Sequence, residues 1–272
     1  MISFFAIFAF AFGVIIGSFL NVVILRYKTG RTVTGRSFCF ACGTTLSSLE
    51  LVPLASFLFQ GGKCKTCRTP ISWQYPLVEF VTGVIFTLVY FKSVTLFPYI
   101  SPLTVLYYWT LFSLLIVISV YDIKHKIVPD FLAFLFAFIS FVWLLGTHDM
   151  GYFTTFEGAL NLLAPLIFFI PFYFLWSFSR GRWMGLGDGK LVIGIGFMLG
   201  LAQGASAIIL AFWIAAALSI ILISIEKLAK RKNESLTMKS EMPFAPFLVL
   251  GTLIAYYFSP DLLHINTLLF GM

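Results

Sequence analysis

Eight stretches of this chain are apolar over bilayer-like lengths: roughly residues 2–25, 76–91, 103–121, 130–146, 157–178, 189–202, 204–225 and 243–258. A helix needs about 20 such residues to cross the hydrocarbon core, where open sheets and lipid-exposed loops cannot satisfy their backbone. The pattern predicts an all-α polytopic membrane protein with about eight transmembrane helices. Composition agrees: 11% of the 272 residues are charged and mean hydropathy is +0.99, whereas a soluble domain carries about 25% charge. The 33 phenylalanines suit lipid-facing surface and interfacial rings. The first run, Ile2 to Leu25, lacks a basic leader and a small-residue cleavage pattern, so it reads as a retained helix. The sixth and seventh runs meet at Ala202-Gln203-Gly204. A kink there would reduce the count to seven and move the C-terminus to the other side.

The basic residues orient the bundle. They cluster in the 26–75 loop (Arg26, Lys28, Arg31, Arg36, Lys63, Lys65, Arg68) and at Lys124 and Lys126. They recur at Arg180, Arg182 and Lys190, and again at Lys227, Lys230, Arg231, Lys232 and Lys239. With eight spans, these connections share one side, and only Lys92 of the 18 basic residues lies opposite. By the positive-inside rule that side is the cytoplasm. The net charge of +7 therefore reflects topology in the plasma membrane, not a nucleic-acid partner.

All four cysteines sit in the 26–75 loop, as Cys39-Phe40-Ala41-Cys42 and, after 21 residues, Cys64-Lys65-Thr66-Cys67. Two residues between cysteines form a knuckle that aims both sulfurs at one ion, so the pairs read as a four-thiolate zinc site. A reducing cytoplasm argues against disulfides. A loop this short buries little core, and the metal would fix its fold. Glu50 lies between the pairs, and Glu79 follows in Tyr75-Pro76-Leu77-Val78-Glu79. Glu79 reads equally as an acid favoured at a helix N-terminus or as a polar ligand contact. Gly13-Val14-Ile15-Ile16-Gly17 has the small-xxx-small spacing of a helix contact, read as packing within the chain ahead of dimerisation.

Two acids border apolar runs: Asp122 in Val120-Tyr121-Asp122-Ile123-Lys124-His125, and Asp188 in Gly185-Leu186-Gly187-Asp188-Gly189-Lys190. An acid beside hydrocarbon is a functional candidate by default. The charge map puts both at one depth on the cytoplasmic side. Two close carboxylates cannot both ionise cheaply, so such a pair shares a proton. One would activate water while the other stabilises the developing oxyanion. The plainer reading of Asp122 is an interfacial acid beside Lys124 or Lys126. Asp130, after Pro129, reads as an N-cap, and His125 as an interfacial histidine.

These segments together resemble the bacterial type IV prepilin peptidases. The resemblance rests on Gly17-Ser18-Phe19-Leu20-Asn21, both cysteine pairs, Tyr75-Pro76-Leu77-Val78-Glu79, Asp122 with Pro129-Asp130, Gly185-x-Gly187-Asp188-x-Lys190, and Pro243-Phe244-Ala245-Pro246. It runs in order through nearly the whole chain. It implies a GxGD-type intramembrane aspartyl protease of pilus or protein-secretion systems. Such an enzyme removes a short basic leader from prepilins or pseudopilins at the cytoplasmic membrane face. Members with the cysteine loop often also N-methylate the new N-terminus using S-adenosylmethionine. Carried over, Asp122 and Asp188 are the catalytic pair; Cys39, Cys42, Cys64 and Cys67 hold zinc; Glu50 and Glu79 are substrate-binding candidates. The implied organisation is a first transmembrane helix (1–25), a cytoplasmic zinc domain (26–75) and a transmembrane peptidase core (76–272).

Two positions depart from the family pattern. Ala245 stands where glycine is usual, and its methyl is expected to tighten local packing and to touch neither acid; Gly189 replaces a bulkier residue and is expected to loosen the Asp188 turn. Two rival functions stand beside the peptidase. A transporter would need mid-membrane acids and an inverted repeat, and neither is visible. A zinc-ribbon membrane anchor would leave Gly-x-Gly-Asp without a role.

Overall fold

The computed structural model describes residues 2–30, 32–96, 101–228 and 242–270. Arg31, Lys230, Arg231, Lys232, Lys239, Glu234 and Glu241 lie outside the described residues, as do the side chains of Glu226 and Lys227. The described chain is helical: α1 (Ile2–Arg26), α2 (Ala55–Phe59), α3 (Gln74–Leu96), α4 (Pro102–His125), α5 (Asp130–Thr147), α6 (Met150–Thr154), α7 (Phe156–Ser179), α8 (Leu186–Leu228) and α9 (Ala245–Phe258). It divides into two compact units, Met1–Val117 and Ile118–Met272.

Six described helices are long and apolar enough to cross a membrane, and α9 adds a 14-residue apolar helix. The expected sixth and seventh runs form one 43-residue element, α8, with a non-helical residue inside it. That break falls at Gly200 (φ 70°, ψ −168°), not at Ala202-Gln203-Gly204. The sequence offered several glycines here; Asn161 selects among them. Its Oδ1 accepts the Leu201 N–H at 2.9 Å, a donor that the break leaves without a helical acceptor. Asn161 Nδ2 in turn donates to the Tyr152 hydroxyl at 2.7 Å. A Cβ on Gly200 would sit 2.6 Å from Asn161 Oδ1.

In the first unit, α1 packs along α3. Hydrocarbon gives two apolar helices no reason to associate, so contact depends on small residues that let backbones approach. Gly13 and Gly17 supply this: a Cβ on Gly13 would lie 2.8 Å from the Gly83 Cα, and one on Gly17 2.7 Å from the Glu79 Cα. The small-xxx-small face is therefore spent within the chain. At its lower end, Asn21 Nδ2 donates to the Tyr75 carbonyl (3.2 Å), and Gln74 Nε2 donates to Asn21 Oδ1 (3.3 Å). Two of the family-like segments thus face each other.

In the second unit, α5, α7 and α9 all pack on α8. Glycines on α8 admit their neighbours: the Phe136 ring fills the space beside Gly194, Pro165 lies against Gly196, and Phe168 against Gly204.

Candidate functional site

Asp122 lies in the last turn of α4, and Asp188 is the third residue of α8. Both are buried, at 4% and 8% exposure, and Asp188 feels the charge of Asp122. The α8 N-terminus adds the positive end of a helix dipole beside Asp188. The turn carrying Asp188 is set by close packing. A Cβ on Gly187 would lie 2.7 Å from Val128 Cβ, so only glycine lets this turn reach the segment between α4 and α5. Gly189 does not loosen it, because Phe169 and Phe172 cover that position at 3.3–3.5 Å from where a Cβ would be.

Asp122 Oδ2 accepts the backbone N–H of Ala245 at 3.2 Å. Ala245 thus reaches Asp122 through its main chain. The methyl group does not make the contact; the main chain at the start of α9 does. Sequence could not give this, because the partners are 123 residues apart and the donor belongs to every residue type but proline. Asp130 is also displaced from its expected role. Pro129 occupies the N-cap position with no side-chain cap bond. Asp130 is the first helical residue and pairs with Lys190 Nζ at 2.8 Å. The pair ties α5 to the first turn of α8, two residues beyond Asp188. The exposed His125 ring packs against Tyr121, tilted by 37° with centroids 4.4 Å apart, as an interfacial histidine would. Ser119 is a buried hydroxyl three residues before Asp122, with no hydrogen-bond partner among the described residues.

The first unit carries the cysteine cluster. The four Sγ atoms lie within 4.8 Å of one another and could hold a metal ion such as zinc. Cys39 and Cys67 Sγ are 3.8 Å apart, close to the edge of a tetrahedron with metal–sulfur bonds of about 2.3 Å. The two knuckles repeat one design. Cys39 N–H donates to the Thr44 carbonyl and Gly43 N–H to the Cys39 carbonyl, both at 2.9 Å. Cys64 N–H donates to the Thr69 carbonyl at 2.9 Å and Arg68 N–H to the Cys64 carbonyl at 3.0 Å. Gly43 and Arg68 both take positive φ, at 73° and 61°. The Thr69 hydroxyl and backbone hold the Cys67 thiol down to about 6, favouring the thiolate that a metal requires.

Glu50 closes a capping box at the short 3-10 turn Ser48–Leu51. Its Oε2 accepts the Ser47 N–H at 2.8 Å and the Ser47 hydroxyl at 2.7 Å. Glu79 is buried and stands six residues into α3, past the first turn, so the helix-terminus account does not hold. Its Oε2 accepts the Leu54 N–H at 2.7 Å, and Ser18 lies nearby. Leu54 has φ 58° and ψ −50°, and the Ala55 N–H reaches back to the Pro53 carbonyl at 2.6 Å. That is a strained γ-turn, pinned by a buried carboxylate. Glu50 and Glu79 both border one cavity of about 370 Å3 enclosed by α1, the start of α3 and the cysteine loop.

Comparison with known proteins agrees with this layout. The model of the bacterial peptidase A24 N-terminal domain matches residues 11–93, and that of the type IV leader peptidase family matches residues 109–220. The prepilin leader peptidase/N-methyltransferase of Bacillus subtilis (strain 168) is 32% identical over 259 residues, covering 93% of this chain and 94% of that protein. The protein of the same name from Pseudomonas aeruginosa is 28% identical over 270 residues, covering 89% and 87%. The chain belongs to the type IV leader peptidase family. No solved structure matches it.

Proposed function

We propose that this protein removes the basic leader from prepilin-like substrates by aspartyl protease chemistry, with Asp122 and Asp188 as the catalytic pair. The observation that carries this reading is the placement of two buried carboxylates at helix ends within one unit, close enough to interact. An ionised carboxylate takes a proton from water as the water oxygen attacks the scissile carbonyl. Its protonated partner donates to the developing oxyanion. Collapse of the tetrahedral intermediate breaks the C–N bond, and the leaving amine departs with a proton. The symmetric pair permits either acid to start in either role.

The wider reading assigns the four cysteines to structural zinc and the protein to the plasma membrane. The 26–75 loop and the acids then face the cytoplasm, because the basic residues of the 26–75 loop, Lys124 and Lys126, and Arg180, Arg182 and Lys190 fall on one side whether α8 crosses once or twice. The relatives' name supports a second activity, N-methylation of the new terminus. S-adenosylmethionine would supply an electrophilic methyl group for it.

A cleavage assay in detergent with a prepilin-like peptide tests the peptidase. Asp122→Asn and Asp188→Asn should each abolish cleavage while leaving bound zinc unchanged. Cleavage surviving in either variant refutes the pair. Mass spectrometry of the processed substrate tests methyl transfer, and a terminus without the added methyl mass refutes it.

A further inference from the structure

We infer that the cavity beneath the cysteine loop is the binding site for the methyl donor, with Glu79 facing the donor's sulfonium. This rests on the methyl-transfer reading and locates it. The cavity's volume of about 370 Å3 lies in the range of small-molecule sites, commonly about 300 to 1,000 Å3. Its walls combine two chemistries. Phe38, Phe40, Phe57 and Tyr75 offer aromatic faces, which stack on a purine and attract a cation. Glu79 and Glu50 offer carboxylates.

Glu79 is the informative one. It is buried, its hydrogen bond comes from a neutral donor, the Leu54 N–H, and among the described residues no cation pairs with it. A buried acid without a counter-charge is costly unless something positive joins it. The protein also spends backbone strain here, since the Leu54 γ-turn is held by the same carboxylate. A simple packing site needs neither. A permanently charged sulfonium between aromatic faces and this acid satisfies both features without a proton transfer. The cysteine knuckles form part of the wall through Cys39 and Cys64, so an ordered cluster would shape the site.

Isothermal titration of the detergent-solubilised, zinc-loaded full chain with S-adenosylmethionine and with its neutral thioether product, S-adenosylhomocysteine, tests the inference. Gln60→Trp puts a bulky side chain at a residue that lines the cavity and leaves Glu79 and the cysteines in place. It should weaken both ligands by more than about tenfold. Glu79→Gln keeps an acceptor for the Leu54 N–H and removes the charge. It should weaken the sulfonium ligand about tenfold or more while changing the thioether by less than about threefold. Equal losses for both ligands would make Glu79 a structural acid and overturn the sulfonium assignment. Wild-type binding that Gln60→Trp leaves unchanged would put the donor elsewhere, overturning the site while sparing methyl transfer. No binding to wild type, with leader cleavage intact and no methyl mass on the product, would refute the methyl-transfer reading beneath it.

Discussion

At the scale of single residues, the acids depend on neighbours that lack distinctive chemistry. Gly187 matters for the atom it does not have. Gly187→Ala would press a Cβ to 2.7 Å from Val128. It should cost about 1–3 kcal/mol, as overpacking does, and displace Asp188 enough to lower kcat/KM for leader cleavage by roughly tenfold or more. Adding Val128→Gly, which removes the Cβ met at 2.7 Å, should restore part of the lost cleavage; denaturation in mixed micelles and the cleavage assay read the two effects. The Lys190–Asp130 pair is partly exposed, at 37% and 71%. Asp130→Asn should therefore change stability by less than about 1 kcal/mol. Glu50 adds a pH dependence. The Ser47 N–H and hydroxyl hold its carboxyl below the usual glutamate value. A group depressed on folding stabilises the fold above its unfolded value, about 4.3, and loses that contribution as pH falls through its lower folded value. Amide exchange at Ser47–Leu51, corrected for intrinsic rates, should show acid loosening that Glu50→Gln flattens.

At the scale of elements, α8 shows how a long apolar run becomes two working segments. Gly200 adopts a φ of 70°, and Asn161 takes up the N–H that the break releases. Gly200→Ala should cost about 2 kcal/mol from positive φ and the collision with Asn161. Asn161→Ala should cost about 1 kcal/mol through the lost cap. Both are measurable as earlier unfolding in a denaturant series. The bilayer run lengths identified this region as helical. The break position was not legible in them, because Gly194, Gly196, Gly200 and Gly204 look alike until Asn161, on another helix, meets one of them. The α1–α3 contact was legible: small residues four apart permit close approach whatever the partner, and the partner proved to lie within the chain.

At the scale of the whole molecule, the two units divide the chemistry. The cysteine cluster and the cavity belong to Met1–Val117, and the two aspartates to Ile118–Met272. On the zinc reading, adding a chelator or replacing all four cysteines by serine should unfold the loop and abolish donor binding. Leader cleavage should fall by no more than a few-fold, since a structural metal contributes its binding energy to the fold around it. Parallel titration and cleavage assays on one preparation would check this.

The sequence alone determined the class of solvent, the helical architecture and the four-cysteine cluster, and it singled out the two acids proposed as the catalytic pair. Apolar run length is a local property, a C-x2-C knuckle closes within a few residues, and an acid beside hydrocarbon is conspicuous wherever it folds. Tertiary structure alone decided what those residues touch. Ala245 serves Asp122 through a backbone N–H, Glu79 holds Leu54 across 25 residues, and Lys190 reaches Asp130 between helices. Each contact joins distant positions through a group common to many residue types. Only the packing of helices around small residues, which fixes the approach of backbones to within ångströms, could select them.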